Sequence, residues 1–219
     1  VRAEQPVDHA GTPRRIGLIG AESSGKSTLA QALAAILPAC VVPEVLREFT
    51  SDHGRPPRIH EQRAVLESQM EREDDLAATC PLPWLVADPA PLMTAIYSLE
   101  YFDDDRLLDD AVTQARGYEL LVWCAPDIPW TADGLQRDGV ARRTSTERTI
   151  SRVVEQFCSQ TPTVPLAGMP AGMPAGMPAA APTEGATPPV LRVRGSVDAR
   201  VSAVLERLAW QPGGSMGLT

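Results

Sequence analysis

Eight consecutive residues constrain this chain more than any others. Gly20-Ala21-Glu22-Ser23-Ser24-Gly25-Lys26-Ser27 matches the pattern G-x-x-x-x-G-K-[ST] at every fixed position. Glycines at both ends let the backbone turn tightly around an anion. Successive N–H groups and the start of the following helix then point at phosphate oxygens, Lys26 reaches the β- and γ-phosphates, and Ser27 can hold Mg²⁺. Such a loop needs a strand before it and a helix after it, and both are present. Residues 14–20 read as a short buried strand, and residues 26–37 read as a helix closed by Pro38. A second observation isolates the same place: of the 20 Lys and Arg residues, 19 are arginine, and the single lysine is Lys26. A compact, rotatable ammonium is what that slot requires.

Beyond the loop, strands and helices alternate. Residues 39–42 form a second apolar strand ended by Pro43, residues 59–78 carry apolar side chains at helical spacing, and residues 84–87 form a third strand between prolines. Residues 91–101 and 104–115 look helical, 119–124 reads as a fourth strand, 146–158 as a helix, 190–193 as a fifth strand and 197–210 as a closing helix. This alternation predicts an α/β fold of the P-loop NTPase type, a parallel sheet with helices on both faces. Residues 161–189 interrupt it with 8 of the 21 prolines and three tandem Ala-Gly-Met-Pro units, a composition that builds no packed core and reads as a disordered surface insertion. The expected organisation is a flexible tail over 1–13, one domain over 14–210 containing that insertion, and a flexible tail over 211–219.

Composition narrows the partners. A formal charge of −8 gives no basic field for nucleic acid or an anionic membrane, so a small-molecule partner is expected. Cys40, Cys80, Cys124 and Cys158 lie 34 to 44 residues apart with no paired spacing, which predicts buried reduced thiols and neither zinc nor a disulfide framework. The first residues are polar, and the apolar run 29–42 is interrupted by Gln31 and Pro38. Neither a signal peptide nor a membrane span is expected, and a cytoplasmic location follows.

In an open parallel sheet the ligand lies at the carboxyl ends of the strands, and polar residues cluster there. Glu44 and Arg47 follow the second strand, Asp88 ends the third, and Asp127, Trp130 and Asp133 follow the fourth. Asp88 has the form of an acid that holds Mg²⁺ directly or through water, or else caps the next helix. Glu44 is a candidate base for a substrate hydroxyl, or a partner in an ion pair with Arg47. Residues 134–143 carry Arg137, Arg142 and Arg143 and suit an arginine-bearing lid over a transferring phosphoryl group, or a solvated basic helix start. Asp103–Asp105 with Asp109 and Asp110 read as a solvated helix N-terminus and not as a metal site. A GTPase is disfavoured: with one lysine, already used, no N-K-x-D motif can exist.

Four motifs in order, Gly20 to Thr28, Pro43-Glu44-Val45-Leu46-Arg47-Glu48-Phe49, Asp88 to Tyr97, and Pro129-Trp130-Thr131-Ala132-Asp133-Gly134-Leu135-Gln136-Arg137, resemble the NadR-type nicotinamide riboside kinases. The resemblance covers about residues 14–160 and implies a nucleoside-kinase-like fold that uses ATP and Mg²⁺ to phosphorylate the 5′-hydroxyl of nicotinamide riboside. It implies that Gly20 to Thr28 bind ATP, that Ser27 and Asp88 serve the metal, and that Lys26, Glu44, Asp88, Arg137 and Arg143 are catalytic. Glu44, Arg47, Tyr97, Trp130 and Asp133 would then contact the nucleoside. Two departures stand out: the family's second acid is replaced by Ala90, and the insertion separates elements usually joined by a short loop. No helix-turn-helix or nucleotidyltransferase segment fits into this length. A kinase for another nucleoside or nucleotide, or a regulatory ATP-binding switch, are the alternative readings.

Overall fold

Five strands, β1 (Arg14–Ile19), β2 (Ala39–Val42), β3 (Trp84–Ala87), β4 (Leu120–Cys124) and β5 (Val190–Val193), pair in parallel in the spatial order β2-β3-β1-β4-β5. The computed structural model describes residues 11–130, 139–159 and 188–209, with side chains at 11–130, 141–156 and 188–209. Asp133, Arg137, the two chain ends and nearly all of the insertion lie outside the described residues. The helices are α1 (Lys26–Ala34), α2 (Val45–His53), α3 (Gln62–Thr79), α4 (Leu92–Phe102), α5 (Leu108–Ala115), α6 (Gly139–Ser159) and α7 (Val197–Arg207), with a 3₁₀ turn at Ile59–Glu61 leading into α3.

The centre of the sheet is buried on both faces, which is why β3 and β4 read as unbroken apolar runs. Every residue of β3 and β4 is buried. On one face Ile16 and Leu18 of β1 pack with Leu29 and Leu33 of α1 and with Val201 and Val204 of α7. On the other, Ile19, Leu121 and Trp123 meet Leu66 of α3, Met93 and Ile96 of α4, Ala111 of α5 and Ile150 of α6. The two faces therefore hold the carboxyl end of β1 rigidly, and the phosphate-binding loop leaves from that end.

Several boundaries differ from the sequence reading. Helix α2 was not expected; it fills residues to which the sequence assigned no element, and Gly54 at φ 65° ends it in a left-handed turn. Helix α1 stops at Ala34, with residues 35–38 continuing as a turn, and α6 starts at Gly139, so Arg142 and Arg143 sit on a helix and not on a loop. Pro188 and Pro189 belong to the approach to β5, since the Pro189 carbonyl accepts from Leu121 N–H at 3.1 Å. No helix among the described residues is long and apolar enough to cross a membrane.

The cysteine expectation needs correction. Cys40 of β2 and Cys80, which ends α3, form a disulfide with Cα atoms 6.3 Å apart. Sequence spacing hides this pairing because it arises from topology. Helix α3 feeds β3, whose first residues Trp84 and Leu85 register with Ala39 and Cys40, so the end of α3 falls beside the start of β2. Cys124 remains a buried free thiol, as expected, and burial pushes its pKa up to about 11.

Candidate functional site

The loop between β1 and α1 has the geometry its glycines permit. Gly20 has φ 151°, and a Cβ there would fall 2.6 Å from Ser24 Oγ and 2.7 Å from the Cys124 carbonyl oxygen. Gly25, at φ 83°, is the N-cap of α1. Lys26 folds back over the loop and donates to the carbonyls of Gly20 at 2.8 Å and Ala21 at 3.0 Å. Its ammonium is thus held at the mouth of the anion site by weakly competing acceptors.

A cavity of about 170 Å³ opens in front of this loop, lined by Glu22 to Thr28 together with Glu44, Arg47, Tyr97 and Trp130. Four chain segments that the sequence keeps far apart meet here. Glu44 is the N-cap of α2, and its turn is pinned by Gln69 of α3, which accepts from Val45 N–H at 2.8 Å and donates to the Pro43 carbonyl at 3.3 Å. Burial raises the Glu44 pKa above the ordinary carboxylate value; the Lys26 and Arg47 charges oppose this and the Asp88 charge adds to it. Arg47 Nε lies 3.5 Å from Glu44 Oε2, so the ion pair and a place in the cavity coexist. Tyr97 of α4 is 7% exposed, and burial together with the Glu44 and Glu22 charges holds its hydroxyl pKa well above the usual value.

Asp88 follows β3 and is anchored by its N–H to the Val42 carbonyl at 3.2 Å. Its Oδ1 is buried without a hydrogen-bond partner, and α4 begins at Leu92 without a side-chain cap, so Asp88 does not serve as the cap. A buried carboxylate oxygen with nothing to accept from is suited to a metal or to a metal-bound water. With Ser27 lining the cavity, the donor set fits Mg²⁺, which takes few protein ligands and completes its shell with phosphates and water. Ala90 is fully buried and its N–H bonds the Leu18 carbonyl at 2.9 Å, so that position belongs to the core. Among the described residues, no group of three or more His, Cys, Asp or Glu side chains is placed to hold a metal.

Behind the loop stand two arginines. Arg143 of α6 donates to the Ser23 carbonyl at 3.1 Å and to the Ile128 carbonyl at 2.9 Å. Arg200 of α7 donates to the carbonyls of Ser24 at 2.6 Å, Gly195 at 3.0 Å and Ala125 at 3.1 Å, and pairs with Asp127. Sequence reasoning passed over Arg200 and Gln69. A signal for Arg200 exists: it shares a helical stripe with Val197, Val201 and Val204, where an arginine must be paired to be buried. Arg142, by contrast, turns to Glu100 at 3.4 Å and lies over the Tyr101 ring. Of the acidic run, Asp109 and Asp110 stand in the first turn of α5 as expected, with Asp110 paired to Arg63, whereas Asp103 caps the end of α4 and Asp104 is buried and held by Arg106, so these two are not a solvated helix start.

Known structures share this architecture. The chain is similar to NadR in complex with NAD and AMP-PNP (14% identity, TM-score 0.62, covering 95% of this chain and 52% of that one) and to NadR in complex with NR (13%, 0.63, 95% and 53%). It is also similar to a deoxyadenosine kinase from M. mycoides bound to dCMP and dCDP (11%, 0.56, 89% and 98%). The chain spans about half the length of the NadR chains it matches. No curated protein matches it in sequence. A family model described as an AAA domain matches residues 15–169, more than two-thirds of the chain. With a five-stranded parallel sheet, a complete phosphate-binding loop and this family match, the protein has an α/β fold of the P-loop type and belongs to the AAA domain family.

Proposed function

We propose that this protein is a P-loop kinase that transfers the γ-phosphoryl group of ATP to the 5′-hydroxyl of nicotinamide riboside, giving nicotinamide mononucleotide. The observation that carries this reading is the single cavity in which the phosphate loop faces Glu44, Arg47, Tyr97 and Trp130. A regulatory ATP-binding switch needs the loop but has no use for an acceptor pocket that opens onto it. The pocket's chemistry supports this acceptor: carboxylates of Glu22 and Glu44 beside the rings of Tyr97 and Trp130 suit a cationic pyridinium. NadR structures with NR and with AMP-PNP are among its structural neighbours.

In this mechanism Lys26 exchanges its two loop carbonyls for the β- and γ-phosphates, and the loop N–H groups hold the phosphate oxygens. Glu44 accepts the proton of the 5′-hydroxyl as the O5′–P bond forms and the bond to ADP breaks; its raised pKa makes it a better base than an ordinary carboxylate. Asp88 and Ser27 would hold Mg²⁺, which would supply positive charge to offset that of the phosphates. Tyr97, Trp130, Arg47 and Asp133 orient the nucleoside, and Arg137 meets the charge of the transferring group.

The test is steady-state ADP release with nicotinamide riboside, uridine, thymidine, deoxyadenosine and no acceptor. The reading expects ATP turnover to rise by orders of magnitude with nicotinamide riboside alone, because the acceptor completes the catalytic set. Equal rates in all five assign a regulatory ATPase. An increase restricted to another nucleoside keeps the kinase and reassigns its substrate.

A further inference from the structure

We infer that Arg143 and Arg200 are positioning residues that aim the backbone N–H groups of the phosphate loop from behind, without touching the nucleotide. The inference rests on the loop being a phosphate site and is independent of which acceptor the enzyme uses. Two consecutive loop carbonyls are each held by a different arginine: Ser23 by Arg143 at 3.1 Å and Ser24 by Arg200 at 2.6 Å. A trans peptide unit is planar, so its carbonyl and the following N–H point in opposite directions. Fixing the Ser24 carbonyl toward α7 turns the Gly25 N–H toward the cavity. Fixing the Ser23 carbonyl toward α6 turns the Ser24 N–H into the hollow of the loop, where it meets the Ala21 carbonyl at the long distance of 3.3 Å.

The loop needs such external support. Ser23 sits at φ 51°, a left-handed conformation that a non-glycine residue does not hold without surrounding constraint, and Gly25 follows closely at φ 83°. Both braces are anchored to the ends of the sheet. Arg143 also donates to the Ile128 carbonyl beyond β4, and Arg200 to the carbonyls of Ala125 beyond β4 and Gly195 beyond β5. Arg143 and Arg200 are buried, 6% and 2% exposed, so these bonds operate away from water. A planar guanidinium presents five donors in a fixed fork that reaches carbonyls on opposite sides of it, whereas the single nitrogen of a lysine bonds only carbonyls that converge on one point. Asp127 neutralises Arg200, leaving directional hydrogen bonding as its main effect on the loop. Arg143 thereby serves the reaction through the loop and not as the lid arginine that the family resemblance implies.

The experiment compares wild type with Arg143→Met, Arg143→Lys, Arg200→Met and Arg200→Lys. It measures ADP binding, adenosine binding, the melting temperature, and the ¹⁵N–¹H resonance of Gly25 with and without ADP. A brace that aims phosphate donors predicts at least tenfold weaker ADP binding in both Arg143 variants and in Arg200→Lys. Adenosine binding should stay within about twofold, and the ADP-induced shift of the Gly25 amide should collapse. Arg200→Met uncovers Asp127; if it does not fold, the other three variants carry the comparison. Folded variants that bind ADP as wild type does overturn the inference, as do variants that lose ADP and adenosine equally. Wild type that binds no ADP overturns the phosphate-site reading beneath it.

Discussion

In the proposed mechanism the chemistry turns on Lys26, and its surroundings say how to test it. Its ammonium bonds only loop carbonyls, at 2.8 and 3.0 Å, and fills no core position. Lys26→Ala is therefore expected to lower phosphoryl transfer by at least about 10³-fold while the melting temperature moves by only a few degrees. Activity retained within a few-fold would remove the loop from the mechanism. Glu44 makes a second residue-scale prediction. Burial raises its pKa, so the acidic limb of the kcat/KM profile should lie above pH 4.5, and Glu44→Gln should abolish that limb and cost about 10²-fold or more in kcat. An unchanged profile in the variant would move the base to another group. These residues were legible because loop chemistry is written in consecutive positions. Gln69 and Arg200 were not, since each acts on a backbone group distant in sequence, Val45 N–H in one case and the Ser24 carbonyl in the other.

At the scale of elements, two links tie α3 to the sheet, and each carries a prediction. Glu73 of α3 is fully buried, its carboxylate oxygens both 2.9 Å from the Tyr118 hydroxyl, and burial pushes its pKa up to about 7 from the ordinary 4.5. The folded state thus binds this proton more tightly than the unfolded chain. The stabilisation is full below about pH 4.5 and is lost as pH rises through about 7, on the order of 3 kcal/mol in all. Glu73→Gln should flatten the stability profile between those values in urea titrations; a variant whose profile keeps the wild-type slope would place the proton elsewhere. The Cys40–Cys80 disulfide closes a loop with a sequence separation of 40, worth about 4 kcal/mol in the chain-entropy picture. Reductant should lower the melting temperature of wild type and leave that of Cys40→Ser/Cys80→Ser unchanged. A wild-type melting temperature indifferent to reductant would contradict the staple. Strands β2, β3 and β5 were readable to the residue because short apolar runs stand out beside prolines; only β3 is buried throughout, and β5 carries the exposed Arg192. Helix α2 was not, since its nine residues give only about two and a half turns of periodicity.

For the molecule as a whole, the sheet order places the carboxyl ends of β1, β2, β3 and β4 around one cavity. The glycine loop comes from the first, Glu44 and Arg47 from the second and Trp130 from the fourth, while Asp88 follows the third with a buried Oδ1 and does not line the cavity itself. Alternation of apolar runs made this fold class legible, and strand-end polarity made most of the cavity legible too. What escaped was closure from behind, by α6 and α7, because it needs the order of strands in space. The central claim is that one cavity joins phosphate donor to nucleoside acceptor, and its most direct test follows the phosphoryl group itself. With [γ-³²P]ATP, Mg²⁺ and nicotinamide riboside, the account predicts label in nicotinamide mononucleotide and little in inorganic phosphate. Label appearing only as inorganic phosphate, at the same rate with and without the nucleoside, would contradict it.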